Sequence, residues 1–153
     1  MLTQLELRIP PPILAGVTAL VMWMGAHDNA PFARPPWLGA LVAGIAVAAG
    51  LVFAVAVATM VRARTTVTPI RPERASTLVT TGIFSVTRNP IYVGDALALL
   101  AYACHLWQPQ SFVAVPVFVA WIHRFQVLPE ERALRAKFGA AYEAYLSRTR
   151  RWI

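Results

Sequence analysis

LGALVAGIAVAAGLVFAVAVATMV, Leu38 to Val61, contains no charged residue. A helix crosses the hydrocarbon core of a bilayer with roughly 20 apolar residues, so this run is long enough by itself. Three shorter apolar runs flank it: Ile13 to Gly25, which reaches spanning length by taking in Ile9 to Pro12; Ile91 to Trp107, interrupted by Asp95; and Ser111 to Val127, with His123 and Arg124 near its end. The whole chain of 153 residues is 58% hydrophobic and 14% charged, with a mean hydropathy of +0.55. Soluble domains are about 45–50% apolar and about 25% charged. The composition therefore predicts an all-α fold: one integral membrane bundle of four transmembrane helices, near 10–26, 38–61, 91–107 and 111–127.

The basic residues predict the orientation. With four crossings, the N-terminus, segment 62–90 and the C-terminus share one side, which holds every one of the 14 Lys and Arg residues except Arg34. Positive charge is retained on the cytoplasmic face, so that side is cytoplasmic and the chain is multi-pass. A three-span topology would split the two basic blocks between the faces. The net charge of +7 is read as contact with anionic lipid headgroups, and no nucleic-acid motif accompanies it. The single Cys104 lies inside an apolar run, so no internal disulfide and no metal site is indicated. The first run follows Glu6 and Arg8, an entry unlike the basic start of a signal peptide, and is read as a retained helix.

Segment 62–90 is too long for an ordinary connection. Loops of this length are uncommon unless functional or disordered, and this one is not low-complexity. Its β-branched residues (Thr65 to Thr68, Thr77 to Thr81), Pro69, Pro72 and Gly82 predict an ordered extended segment with turns on the cytoplasmic side. Leu128-Pro129 is expected to break the helix direction after the fourth run, and Pro116 to kink that run. From 130 to 147, Leu134, Phe138, Ala141, Tyr142 and Tyr145 recur at helical spacing opposite Arg132, Arg135, Lys137 and Glu143. That pattern predicts an amphipathic C-terminal helix at the interface.

Polar clusters sit where apolar runs meet charged sequence. Arg88-Asn89-Pro90-Ile91-Tyr92 opens the third run. Asn89 is a good N-cap residue and Pro90 suits the first turn; the same place is a helix N-terminus able to receive a carboxylate. Pro129-Glu130-Glu131 is a helix-start signal too, but both acids lie beside an apolar run, where a carboxylate can accept from ribose hydroxyls or an amino group. Asp95 is an ionisable residue within a span, by default a functional candidate; the plainer alternative is that it snorkels or pairs with Arg88 or Arg124. Arg88, Asp95 and Arg124 are the catalytic candidates by position.

The order Gly82-Ile83-Phe84, Arg88-Asn89-Pro90-Ile91-Tyr92-Val93-Gly94, Pro129-Glu130-Glu131-Arg132 and Phe138-Gly139 with Tyr142 and Tyr145 resembles the isoprenylcysteine carboxyl methyltransferases and the related phospholipid methyltransferases. The likeness runs from about Pro69 to Ile153. It implies an integral membrane enzyme that uses S-adenosylmethionine, held in a cytoplasmic pocket by Thr77, Leu78, Val79, Phe84, Asn89, Pro90, Ile91, Tyr92, Glu130 and Glu131, and a lipophilic or small methyl acceptor reached among membrane lipids. Asn89 stands where the family's usual Arg-His-Pro signature has histidine; asparagine keeps the hydrogen bond but does not titrate near neutral pH. The arginine that holds the acceptor's carboxylate in the prenylcysteine enzymes has no match, Gln126 falling near that place. The rival expectation is a non-enzymatic membrane protein, a scaffold or transporter subunit with Asp95 in an ion path. A third is a lipid-binding regulator acting through its basic C-terminal helix.

Overall fold

The computed structural model describes residues 6–27, 32–64 and 76–153. Among them regular structure is helical: α1 (Pro11–His27), α2 (Leu38–Arg62), a 3-10 turn (Gly82–Ser85), α3 (Pro90–Leu106), α4 (Pro109–Ile122), a π-helical turn (His123–Val127), α5 (Leu128–Phe138) and α6 (Ala140–Arg148). Two helical stretches are long and apolar enough to cross a membrane, Leu38–Arg62 and the continuous rod Pro109–Phe138. α1 and α3 are apolar but have 17 residues each, about 25 Å at 1.5 Å per residue, a little short of a hydrocarbon core of about 30 Å. The apolar part of the long rod ends at Val127; Glu130, Glu131, Arg132, Arg135 and Lys137 come after it.

Helix α3 is the centre of the molecule. It packs most extensively on α2, and also on α1 and α4. A shared core is formed by Met22 of α1, Tyr92, Leu99 and Ala103 of α3, Phe118 and Ile122 of α4, and Val127. Small residues let helices approach closely in an apolar medium. Gly94 shows this: a Cβ there would lie 3.5 Å from both the Ala49 carbonyl oxygen and Phe53 Cβ, leaving no room for anything larger than a methyl. The other sides of α2 are apolar yet open, with Val47, Leu51 and Val61 exposed. A soluble protein would bury such side chains; in a bilayer they face lipid.

The two ends of the bundle differ. At one, Trp107 ends α3 in the left-handed region, stacks edge-on against Trp37 and Phe112, and donates from Nε1 to the Ala33 carbonyl, 3.2 Å. Gln110 Nε2 donates to Gly25, 2.8 Å. At the other end lie Gly82 against Thr59, the start of α3, and the π-turn with α5.

Two expectations need correction. Leu128-Pro129 does not break the helical path. Proline has no N–H to give the carbonyl four residues back, here Phe125. The helix widens to a π-turn, with the Leu128 N–H donating to His123 five residues earlier, and the spare Phe125 carbonyl accepts instead from the Leu7 N–H, 3.0 Å. The stretch around Leu7 is fastened there by Gln126 Nε2 donating to Ile9, 2.6 Å, and by Glu6, which pairs with Arg124 at 2.7 Å and with Arg132. Secondly, the amphipathic helix expected over 130–147 is two helices. Gly139 parts them with φ +51°, a conformation glycine adopts at little cost, and Tyr142 and Glu143 donate back to its carbonyl as α6 begins. α4 runs on through Pro116 without interruption. Thr65 to Thr68, Pro69 and Pro72 lie outside the described residues; residues 76–89 are extended chain around the 3-10 turn.

Candidate functional site

A cleft opens at the α3 N-terminal end, with free space of about 570 Å³ including its mouth. Four pieces of chain make it. Thr77, Leu78, Val79 and Phe84 come from the segment before α3, Arg88 and Asn89 from its threshold, Glu130, Glu131 and Leu134 from α5, and Tyr142 and Tyr145 from α6, with Met60 closing the α2 side. Of the cofactor residues implied by resemblance, Thr77, Leu78, Val79, Phe84, Asn89, Glu130 and Glu131 line this cleft. Pro90, Ile91 and Tyr92 form the first turn of α3 beside it and do not line it. Tyr92 reaches the cleft's edge through its hydroxyl, which donates to Glu130 Oε1 at 2.5 Å. Arg88 lines the cleft; Asp95 and Arg124 do not.

The segment Thr149–Trp152 does not line the cleft but lies behind Arg88, Asn89 and Glu131 and fastens them. Thr87 and Arg150 form a parallel β-bridge, and the Arg88 N–H donates to the Arg150 carbonyl, 3.0 Å. Asn89 Nδ2 donates to the Arg151 carbonyl, 2.9 Å, and Thr87 Oγ1 to the same atom, 3.3 Å. Asn89 thus occupies the N-cap place without capping with its side chain. Trp152 Nε1 donates to His123 Nδ1, 3.3 Å. On α6, the Tyr145 hydroxyl donates to the Phe84 carbonyl, 2.6 Å, fixing the 3-10 turn.

The adjacent acids have opposite surroundings. Glu131 is buried between two arginines: Arg151 donates from Nε and Nη2 to its two oxygens at 2.8 Å each, and Arg88 Nη2 donates to Oε1 at 2.8 Å. Arg88 spends its other terminal nitrogen on the Thr149 carbonyl, 2.7 Å. Burial pushes the Glu131 carboxyl up, but the hydrogen bonds from Arg151 and Arg88 outweigh it and hold the group below its ordinary range. Glu130 has only the Tyr92 hydroxyl. Although part of the residue stays open to the cleft, burial of its carboxyl pushes it up to about 8, with the Tyr92 bond pulling down and the Glu131 charge adding to the rise. Burial also raises Tyr142, and takes Tyr145 to about 12 against the pull of Arg88.

Asp95 pairs with neither arginine proposed for it, since Arg88 is engaged by Glu131 and Arg124 by Glu6. Met60 and Leu134 line the cleft without being singled out by the motifs, and Tyr142 and Tyr145, which belong to the motif order, line it although they are not among the cofactor residues the resemblance implies. In sequence Tyr142 and Tyr145 belong to one apolar helix face, and their spacing is the signal that places them side by side, ring centres 6.1 Å apart. Among the described residues no group of His, Cys, Asp and Glu fit to hold a metal is present.

Residues 38–141, which carry α2, the cleft and the start of α6, match the phospholipid methyltransferase family. The chain belongs to that family. An uncharacterized protein of Haemophilus influenzae is 35% identical over 63 residues, which are 41% of this chain and the whole of that relative. No solved structure matches significantly. Family membership makes the chain a membrane methyltransferase and makes a methyl-donor site the first question to put to the cleft.

Proposed function

We propose that the protein is an integral membrane methyltransferase that takes S-adenosylmethionine into this cleft from the cytoplasm and passes its methyl group to a lipophilic or small acceptor arriving through the membrane. The proposed topology has four crossings, with the stretch around Glu6, segment 62–90 and α6 on the cytoplasmic side. Supporting it, Arg8, Arg62, Arg64, Arg88, Arg124 and Arg132 to Arg151 gather at the cleft end, and Arg34 with Trp37 and Trp107 at the other.

The residues present suit this donor. Glu131 is neutralised by its arginines, so the acid the cleft can offer is Glu130, which has no cationic partner among the described residues. A carboxyl so placed suits a ligand with ammonium, sulfonium or hydroxyl groups, a cation drawing it into its charged form. Phe84, Tyr142 and Tyr145 supply aromatic surface, and an aromatic face contributes roughly 0.5–2 kcal/mol toward a cation. Arg88 keeps a buried Nε without a partner among the described residues, a donor suited to a carboxylate.

S-adenosylmethionine, when bound, supplies a methyl group on a positively charged sulfur. The chain's residues hold it in line and keep water away, and alignment of this kind can be worth about 7–11 kcal/mol. Thr77 to Val79 and Phe84 are assigned the outer wall, Glu130 the polar hydrogens, and Asn89 a fixed wall position through its bond to Arg151.

The observation that carries the reading is that Glu130 and Tyr92, 38 residues apart in sequence, meet at 2.5 Å at the edge of one cleft. Calorimetric titration of the purified chain with S-adenosylmethionine and its demethylated product tests it. Both should bind, and Glu130→Ala should weaken them by at least about tenfold, the loss of one charge-assisted hydrogen bond worth about 1.5–3 kcal/mol. Unchanged affinity in that variant, or no binding by the parent, counts against the reading.

A further inference from the structure

The long rod Pro109–Phe138 carries Glu130 just past its weakest point. Pro129 cancels one backbone bond, the helix widens to the π-turn before it, and Glu130 is the next residue. A helix interrupted in this way bends readily at the interruption. The aim of Glu130 at Tyr92 therefore requires that the two parts of the rod be held at a fixed angle.

The stretch Glu6–Ile9 lies across that joint and is bonded to both sides of it. The Glu6 carboxylate spans it: Oε1 accepts from Arg124 Nη1 in the π-turn, 2.7 Å, and Oε2 accepts from Arg132 Nη2 in the first turns of α5. Glu130 stands between these two arginines in sequence. The Leu7 N–H satisfies the Phe125 carbonyl that Pro129 leaves open, 3.0 Å, and the Ile9 carbonyl accepts from Gln126 Nε2, 2.6 Å. Leu7 does this at φ +57°, a left-handed conformation that a leucine keeps only where its surroundings hold it there. The Glu6 side chain is 14% exposed, against 41% for Arg124 and 57% for Arg132, so the carboxylate is the covered, committed member of the trio. A single exposed ion pair contributes little. Here one carboxylate joins two segments of the rod and two backbone bonds fix the same stretch, so the contacts act as one network.

We infer that Glu6 is a positioning residue for the cleft, a splint across the π-turn that fixes the tilt of α5 and so brings Glu130 to Tyr92. The inference rests on the cleft being the methyl-donor site. Glu6 does not line the cleft, so its influence on a ligand there passes through the placement of α5. Without its charge, Arg124 and Arg132 repel each other across the joint, and α5 swings about Pro129. Only the chains that hold the original tilt then present Glu130 to the donor, and the apparent affinity drops by that fraction.

The test uses the full chain in phosphatidylcholine nanodiscs with two readouts. Pulsed electron paramagnetic resonance reads the distance between spin labels on Val86→Cys and Ala136→Cys, both at exposed positions, with Cys104 replaced by alanine. Calorimetry reads the affinity for the demethylated donor. Glu6→Gln should shift or broaden the label distance and weaken donor binding about three- to tenfold. Glu6→Asp, which keeps the charge, should recover part of both. Arg124→Gln combined with Arg132→Gln should reproduce the change in label distance, and adding Glu6→Gln to that pair should change it little further. Gln110→Ala removes a tether of α4 at the opposite end of the bundle. It should lower stability without moving either readout, which separates positioning from general loosening. An unaltered label distance in Glu6→Gln, or an altered distance with donor affinity intact, overturns the inference, and so does an equal loss in Gln110→Ala. Failure of the parent to bind the demethylated donor strikes the cleft reading alone, because the label distance still reports whether Glu6 sets the tilt of α5.

Discussion

The two sides of the cleft are held by different means. On the side of Arg88 and Glu131, backed by Thr149–Trp152, charge meets charge and most of the polar atoms are answered by neighbours from distant parts of the chain. On the side built by Tyr92 and Glu130, a carboxyl is held by one hydroxyl. Adjacent residues of one helix turn thus serve opposite ends. Glu131 ties three segments together and has nothing left to offer a ligand, whereas Glu130 is underpaired and can change partner or protonation state. Sequence alone treats them as a pair, and geometry separates architecture from chemistry.

The largest effect that can break this contrast is Glu131→Ala. Removing one member of a buried ion pair strands its partners, typically at about 3–5 kcal/mol. Arg88 would be left with buried charge, while Arg151 is partly exposed and loses less. Denaturant unfolding in detergent should show a loss near that size. A change no larger than that of a surface substitution would show that the clamp is decorative.

Glu130→Gln should act in the other direction. A carboxyl that holds its proton to about 8 in the folded chain but loses it near its ordinary value when unfolded makes the unfolded state the poorer proton binder between those limits. Stability therefore falls as pH rises through that window. Glutamine removes this slope, so the variant should be the more stable one above pH 8, by on the order of 1–2 kcal/mol once the open side of the residue is discounted. Unfolding measured at pH 5 and pH 8.5 checks it, and an unaltered slope would mean that another group carries it. The smallest effect is expected from Tyr92→Phe. It deletes a single hydrogen bond, about 1 kcal/mol, and should weaken donor binding less than Glu130→Ala does. A loss equal to that of Glu130→Ala would mean the two residues work only as a unit.

The helices were legible because their signal is local and long. The observed α2 begins at Leu38 as read from sequence, and α1, α3 and the π-turn's end at Val127 lie within a residue of the spans expected near 10–26, 91–107 and 111–127. What escaped depended on partners far away. Pro129 announces a break by every nearby rule, yet the helix continues because the Leu7 N–H supplies the bond that Pro129 lacks. Gly139 was readable as a stop signal, but Phe138, Ala141, Tyr142 and Tyr145 keep helical spacing across it and hid the change of direction. The segment of Arg150 and Arg151 that backs the cleft pairs with residues some 60 positions earlier, and nothing in either stretch alone advertises the other. Resemblance names positions around the cleft without distinguishing carboxyls already paired from those that are not, which is why it sets Glu131 beside Glu130.

The contact between the Leu7 amide and the Phe125 carbonyl has a consequence for biosynthesis. The Leu7 amide is synthesised before α1 to α4 and the Phe125 carbonyl after them. The widened turn that leads into Glu130 therefore stays unfinished while those four helices are being made, and a nascent chain halted before α5 holds an open hem rather than a partial binding site.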